Sequence, residues 1–377
     1  MIYLDNAATT KPSGEVCKAV INGLEVFGNP SSLHRAGLDA ELLVTHAREI
    51  VAESLGCQAE EIFFTSGATE SNNTAIFGAY RSQGKRKKRA VTTTVEHPAV
   101  ARPFDELERL GCEIVRISPD ENGSISAGDI LRAVNEDTFL VSCMLVNNET
   151  GAVLPVEKAF SMIKKKYPQV ITHCDCVQGY MKLPVRTKKL NADMISVSGH
   201  KIYGPKGIGA LYVRKGLHIP PFMLGGGQER GFRSGTESVP LICGLGAAVE
   251  QLKDSIGENL EKMRALDAYL AKRCMENGGI SINYAGEKSP YINSISVQGL
   301  KSEVLLHFLE EKGIYVSSGS ACSKGKKSGV LQEFRIPVQD LDTTLRVSFA
   351  VTTTEADIDA LADALSIAQQ KLQKLRR

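Results

Sequence analysis

Short apolar runs alternate with stretches carrying apolar residues at helical spacing through the first two thirds of the chain. The runs Glu61–Thr65, Ala90–Val95, Glu113–Ile117, Thr138–Val146, Val170–Asp175, Met194–Val197 and Ala210–Val213 predict strands. Between them, Ala40–Ser54, Ala101–Leu110 and Val156–Lys166 predict helices. Such alternation predicts an α/β layer built on a largely parallel sheet. A long amphipathic stretch from Leu241 to Asn277 follows and would carry the chain into a second unit. There Ser294–Val297, Ile314–Ser317 and Leu345–Phe349 predict strands and Glu303–Glu311 a helix. Ile358, Leu361, Leu365 and Leu372 mark the apolar stripe of a terminal helix. The expected division is a large domain over 15–250 and a smaller α+β domain formed by 1–14 plus 251–377.

Length and composition narrow the function classes. A chain of 377 residues suits two or three domains with a large core. Its 42% hydrophobic and 23% charged residues exclude wholesale disorder. Lys+Arg 45 against Asp+Glu 43 gives a net charge of +2, which argues against a dedicated nucleic-acid binder. Nine cysteines, an odd count, form no disulfide framework and suit a reducing compartment. The start Met1-Ile-Tyr-Leu-Asp5 has no basic and apolar leader pattern, and no apolar run approaches the roughly 18 residues of a membrane helix. A cytoplasmic location is the expectation. Two basic runs stand out, Lys85–Arg89 and Lys324-Gly-Lys-Lys327; the first reads as a solvated loop, with an acidic protein partner as the alternative.

Three segments carry chemistry. Ser198-Gly-His-Lys201 places a lysine just beyond a buried strand and before a glycine-rich stretch, where a partly desolvated amine serves as a Schiff-base lysine. Thr65-Ser-Gly-Ala-Thr-Glu-Ser-Asn-Asn73 follows a strand and opens a helix, so its N–H groups and hydroxyls suit a phosphate. On Val170-Ile-Thr-His-Cys-Asp175, alternation puts His173 and Asp175 on one face and Cys174 and Cys176 on the other. An acid at the end of a buried strand needs a positive partner, and a protonated pyridine nitrogen is one. Together a phosphate cradle, a lysine and a strand-end aspartate describe a pyridoxal phosphate site. A metal site from His173, Cys174, Asp175 and Cys176 is conceivable by residue type, but alternation splits those ligands between two faces, so no metal is expected.

The sequence resembles the cysteine desulfurases of the NifS and IscS types, within the class V aminotransferases of fold-type I pyridoxal phosphate enzymes. The resemblance is carried by Tyr3-Leu-Asp-Asn-Ala-Ala-Thr-Thr10, Gly28-Asn-Pro-Ser-Ser-Leu-His34, Thr65-Ser-Gly-Ala-Thr-Glu-Ser-Asn72, Glu96-His-Pro-Ala99 and Asn147-Asn-Glu-Thr-Gly151. It continues through His173-x-Asp175-x-x-Gln178, Ser198-Gly-His-Lys201, Gly225-Gly-Gly-Gln-Glu-Arg-Gly231, Arg233-Ser-Gly-Thr236, Ser317-Ser-Gly-Ser-Ala-Cys322 and Arg346-Val-Ser348. It implies a large, mostly parallel seven-stranded sheet domain with a smaller α+β domain.

By the same resemblance Lys201 would hold the cofactor and move the substrate Cα proton. His97 would stack on the pyridine ring and assist proton transfer. Asp175 would pair with the ring nitrogen, and Gln178 would bond the phenolic oxygen, with Asn148 near that oxygen and the substrate. Ala68, Thr69, Ser198 and His200 would hold the phosphate, joined by Thr236 from a second subunit, which implies a homodimer. Arg346 would clamp the substrate carboxylate, a bidentate task suited to a planar guanidinium. Cys322, set among small residues and followed by a lysine-rich stretch, would be the nucleophile that takes sulfur from cysteine and passes it to an acceptor protein, such as an iron–sulfur scaffold. The implied reaction is cysteine desulfuration. A selenocysteine lyase or another class V aminotransferase is the first alternative, and a non-catalytic sulfur carrier the second. Two departures from the family pattern stand out: Cys174 and Cys176 flank Asp175, and Ala350 stands where glycine is expected.

Overall fold

A computed structural model describes residues 1–284, 286–318 and 328–374. Its large sheet has seven strands in the spatial order Ile62–Thr65, Gly209–Val213, Met194–Ser198, Ile171–Asp175, Thr138–Ser142, Arg89–Thr93 and Glu113–Ile117. Gly209–Val213 runs antiparallel to both of its neighbours, and all other pairs are parallel. Period-two alternation sorts the apolar residues of the central strands onto two faces. Leu140, Ile171, Met194 and Leu211 pack with Ile76, Phe104 and Leu107 of the helices Ala68–Gln83 and Pro98–Arg109. Val141, Cys174, Ile195 and Ala210 meet the opposite core, which includes Val51, Phe160 and Leu245 from Arg35–Leu55, Val156–Lys166 and Val239–Leu252. Both faces are covered, as a parallel sheet requires.

Beyond it lies an antiparallel sheet in the order Ser317–Ser318, Thr344–Ser348, Ile292–Val297, Ile280–Ile282. The helices Ile256–Asn277, Ser302–Glu310 and Glu355–Lys374 accompany it. The first residues of the chain join this region: Ile2–Tyr3 pairs parallel with Ile314–Tyr315, and Asn6 Nδ2 donates to the Ser348 carbonyl at 3.0 Å. From there the chain crosses to the large sheet, where Thr10 N donates to the His200 carbonyl at 2.9 Å.

Several element boundaries differ from the sequence expectation. The regular strand in the run Thr138–Val146 ends at Ser142: Cys143 N and Leu145 N still donate to the His173 and Asp175 carbonyls at 3.1 and 3.0 Å, but the Met144 N–H between them turns to the Glu96 carboxyl. The long amphipathic stretch is two helices, divided at 253–255. Ile314–Ser317 splits into two short strands that pair with different partners. Ile280–Ile282 and Ile2–Tyr3 are too short and too exposed to print a period-two signal. Ala350 is accommodated without glycine: its N–H donates to Thr353 Oγ1 at 2.9 Å, and Tyr203 OH takes the next N–H, that of Val351, at 2.8 Å.

Candidate active site

A cavity of about 730 Å³ opens at the carboxyl ends of the parallel strands, where ligands bind in open α/β sheets. Asp175 is the last residue of Ile171–Asp175 and Ser198 the last of Met194–Ser198. Ser66 and Gly67 follow Ile62–Thr65, and His97 follows Arg89–Thr93. Ala68, Thr69, His97, Asn148, Asp175, Gln178, Ser198, His200, Lys201 and Arg346 all line this one cavity. Those from 68 to 201 converge because each follows or ends a strand of the large sheet on the same side, while Arg346 reaches the cavity from the middle of Thr344–Ser348 in the smaller sheet.

One wall of the cavity begins at Gly67, whose φ of 146° is open to glycine and rare for other residues. Gly209 is required beside it, since a Cβ there would sit 2.8 Å from the Gly67 Cα. The helix Ala68–Gln83 starts without a side-chain cap, so its first-turn amides are presented to the cavity with the positive end of the helix dipole. Glu70 also lines the cavity; its carboxylate accepts from Ser66 N at 2.8 Å and from Arg233 at 2.8 and 3.1 Å.

Opposite, Lys201 ends a short 3-10 turn, Gly199–Lys201. Its Nζ donates to the Ala7 and Ala8 carbonyls, each at 2.6 Å. The N-terminal segment thus forms part of the site, which explains the quoted Asn-Ala-Ala motif. Positive neighbours Lys201, Lys206 and Lys182 add to burial in pushing the His200 pKa down to about 4, so the ring is neutral.

Asp175 is buried and accepts from Asn72 Nδ2 at 2.8 Å and Val177 N at 3.0 Å. Among the described residues it forms no ion pair. Burial raises its pKa above the ordinary carboxyl value, opposed by those two hydrogen bonds and by the fields of His97 and Lys201. His97 caps the helix Pro98–Arg109, its Nδ1 accepting from Ala99 N at 3.1 Å, which leaves the proton on Nε2. Its pKa is lowered, first by burial in the protein and then by Lys201. The ring nevertheless keeps an open face on the cavity.

Arg346, on Thr344–Ser348, donates to the Asn148 carbonyl and to Asp5 Oδ1, both at 2.9 Å, while its buried Nε has no hydrogen-bond partner among the described residues. Thr236 lies outside this cavity, in an adjoining one of about 200 Å³ that shares Ser66 and Gly207 with it. Cys322 lies outside the described residues; Ser317 and Ser318, just before that segment, line the cavity.

His173 Nδ1 and Nε2 are each paired with a serine, Ser142 at 2.8 Å and Ser196 at 3.0 Å. Cys174 and Cys176 face away together, with sulfurs 3.4 Å apart. No group of three His, Cys, Asp or Glu arranged for a metal occurs among the described residues. Four residues at or behind the cavity wall carried no assigned role in the sequence: Asn72 behind Asp175, Glu96 holding the Met144 N–H, Glu149 on the wall and Lys182 under Gln178. The first three sit inside the quoted motifs. Lys182 left a weaker trace, a lysine in an apolar stretch.

The sequence pattern described as aminotransferase class-V matches residues 2–361. The chain belongs to that family. Among curated relatives, the cysteine desulfurase IscS of Dictyoglomus turgidum is 37% identical, over 99% of this chain and 96% of its own length. A cysteine desulfurase of Nostoc sp. is 38% identical, over 100% and 94%. A solved NifS-like protein superposes with a TM-score of 0.92 at 36% identity, covering 98% of this chain and 99% of its own. A structure titled SspA in complex with cysteine gives 0.83 at 32%, covering 94% and 100%. The class V family and its α/β architecture are the ones the sequence motifs led us to expect.

Proposed function

We propose that the protein is a pyridoxal phosphate-dependent L-cysteine desulfurase that forms alanine and leaves the sulfur as a persulfide on Cys322. The observation that carries this reading is a buried carboxylate, Asp175, that lacks a cationic partner among the described residues yet faces the same cavity as Lys201 and an uncapped helix start. A pyridinium nitrogen supplies the missing cation, and the helix start suits its phosphate. The cavity size fits a cofactor of that kind with a small amino acid.

When bound, the cofactor serves as an electron sink for charge developing at the substrate Cα. The chain's own residues do the rest. Asp175 holds the ring nitrogen proton, with Asn72 and Val177 fixing the carboxylate. His97 covers one face of the ring. Ala68, Thr69, Ser198 and His200 hold the phosphate, and Thr236 of a second copy completes that shell, which makes a homodimer the working unit. Exposed apolar residues Ile21, Leu24, Phe27, Leu33 and Leu42 supply a surface for such pairing. Gln178 and Asn148 address the ring's oxygen. Arg346 receives the substrate carboxylate, exchanging part of its bond to Asp5. Lys201 takes the Cα proton. The Cys322 thiolate then attacks the substrate sulfur: the S–S bond forms, the Cβ–S bond breaks, and the electron pair left on carbon takes a proton to give alanine.

The product is carried to an acceptor protein in the cytoplasm, an iron–sulfur scaffold being one class. No helix among the described residues is long and apolar enough to cross a membrane. The test is to supply pyridoxal phosphate and L-cysteine and measure alanine and keto acid. Alanine without keto acid, lost in both Lys201→Ala and Cys322→Ala, supports the reading. Keto acid as the main product, or alanine formed by Cys322→Ala at the wild-type rate, overturns it.

A further inference from the structure

Lys182 lies on the turn that leaves the Asp175 strand, directly after Met181, whose φ of 58° is the left-handed conformation that L-residues rarely adopt. The turn sends Lys182 inward, and only 6% of the residue is exposed. Lysine is almost never buried so far unless paired with a carboxylate. Among the described residues Lys182 has no such partner. Its Nζ donates to Gln178 Oε1 at 3.0 Å and sits 6.0 Å from the Tyr291 ring centre. Burial, aided by the like charges of Lys201 and Arg346, lowers its pKa to about 7. A buried amine kept at this cost is tied to what it touches.

What it touches is one end of an amide. Donation into Oε1 decides which end of Gln178 is oxygen. The other end, Nε2, donates to the Ala7 carbonyl at 2.9 Å, the same oxygen that accepts Lys201 Nζ at 2.6 Å. A flipped amide would set oxygen against oxygen at Ala7 and NH₂ against the Lys182 amine. Nε2 carries two hydrogens, so one remains for the cavity that Gln178 lines. Lys182, Gln178, the Ala7 carbonyl and Lys201 thus form one continuous hydrogen-bonded chain.

We propose that Lys182 is a positioning residue: it locks the Gln178 amide so that an N–H faces the bound ligand, and through the Ala7 carbonyl it sets where the Lys201 amine rests. The proposal rests on the pyridoxal phosphate reading and states how that site is held. Charged and titratable groups facing Lys182 are Lys201, Arg346, His200 and Tyr291; Asp175 and His97 act on Lys201 as well.

The test is a pH titration of the visible absorbance of the cofactor-loaded protein, together with the cofactor's affinity, in wild type, Lys182→Met, Gln178→Leu and the double variant. Loss of an N–H donor to the ligand oxygen moves the titration midpoint up by about one pH unit in Lys182→Met, and the affinity falls about tenfold. In the Gln178→Leu background the same change moves the midpoint by less than about a third as much, because the amide it acts through is gone. Equal shifts in both backgrounds, or no shift in wild type, overturn the proposal. Should Lys182→Met fail to fold, Lys182→Gln, which keeps a donor, carries the same readout: a midpoint equal to that of Gln178→Leu overturns the proposal, and one nearer wild type supports it. A wild-type protein that takes up no cofactor instead overturns the pyridoxal phosphate reading itself, and this proposal with it.

Discussion

Removing Glu229 should unfasten the wall that carries Thr236. Arg48 and Glu229 form a bidentate pair with both N–O distances at 2.7 Å, and they are only 9% and 4% exposed. Glu229 also accepts from Phe64 N at 3.0 Å, and Arg48 donates to the Ile62 carbonyl at 2.8 Å. The pair therefore clamps the strand Ile62–Thr65, which leads to the cavity wall at Ser66–Thr69, to the glycine-rich turn before Thr236. That turn holds Glu229 and Arg230 at φ 47° and 56°, so it is strained and depends on its anchors. Glu229→Ala leaves a buried guanidinium uncompensated and the Phe64 N–H unpaired, at a cost of about 3–5 kcal/mol. At about 1.3 °C per kcal/mol for a chain of 377 residues, the melting temperature should fall by roughly 4–6 °C. Chemical denaturation and calorimetry read this directly. The paired replacement Arg48→Met with Glu229→Leu should recover most of the loss, since it removes both charges. A Glu229→Ala protein melting within about 2 °C of wild type would refute the clamp.

Further outcomes follow from the same geometry. Asp175→Asn should lower kcat by about 10²–10³, because the ring nitrogen loses its charged partner while Val177 N keeps an oxygen to donate to and a flipped Asn72 amide can accept from the new NH₂; steady-state kinetics at saturating cofactor will read it. Arg346→Lys should raise KM for cysteine about tenfold with a smaller change in kcat, since an ammonium replaces a planar fork, and equal loss in both would contradict the carboxylate role. Burial pushes the Glu96 carboxyl up to about 8 from 4.5, so the folded state holds an extra proton between those values. Wild-type stability should then fall as pH rises through that window, by up to about 1.4 kcal/mol per unit, and Glu96→Gln should flatten the decline in pH-dependent denaturation. Burial holds the Cys174 thiol well above its usual value. Cys174→Ser should leave the rate of alanine formation within about twofold, and native protein should not be alkylated there.

The central strands of the large sheet were legible because they are buried on both faces, while the edge strand Glu113–Ile117 and the helix Val156–Lys166 match the sequence expectation to the residue. What misled was apolar sequence serving something other than the ladder. The stretch 143–146 stays buried and bonded to Ile171–Asp175, while Glu96 takes the Met144 N–H on its other edge. Short strands such as Ile2–Tyr3 exist only through a partner more than three hundred residues away, which no local pattern reports. The site divides in the same manner. Lys201, Asp175 and the helix start at Ala68 announce themselves by type and by place at strand ends. The Ala7 and Ala8 carbonyls that hold Lys201 contribute backbone alone, so residue type reveals nothing of them. Lys182 looked like any lysine until its burial and its amide partner were in view.

The central claim is that sulfur leaves cysteine as a persulfide on one named side chain. Mass spectrometry of the cofactor-loaded protein after incubation with L-cysteine, with peptides mapped before any reductant is added, tests it most directly. One extra sulfur atom is expected on the peptide containing Cys322 and none on the peptide containing Cys174 and Cys176. Sulfur found on Cys176, or alanine produced with no sulfur added to Cys322, would contradict it.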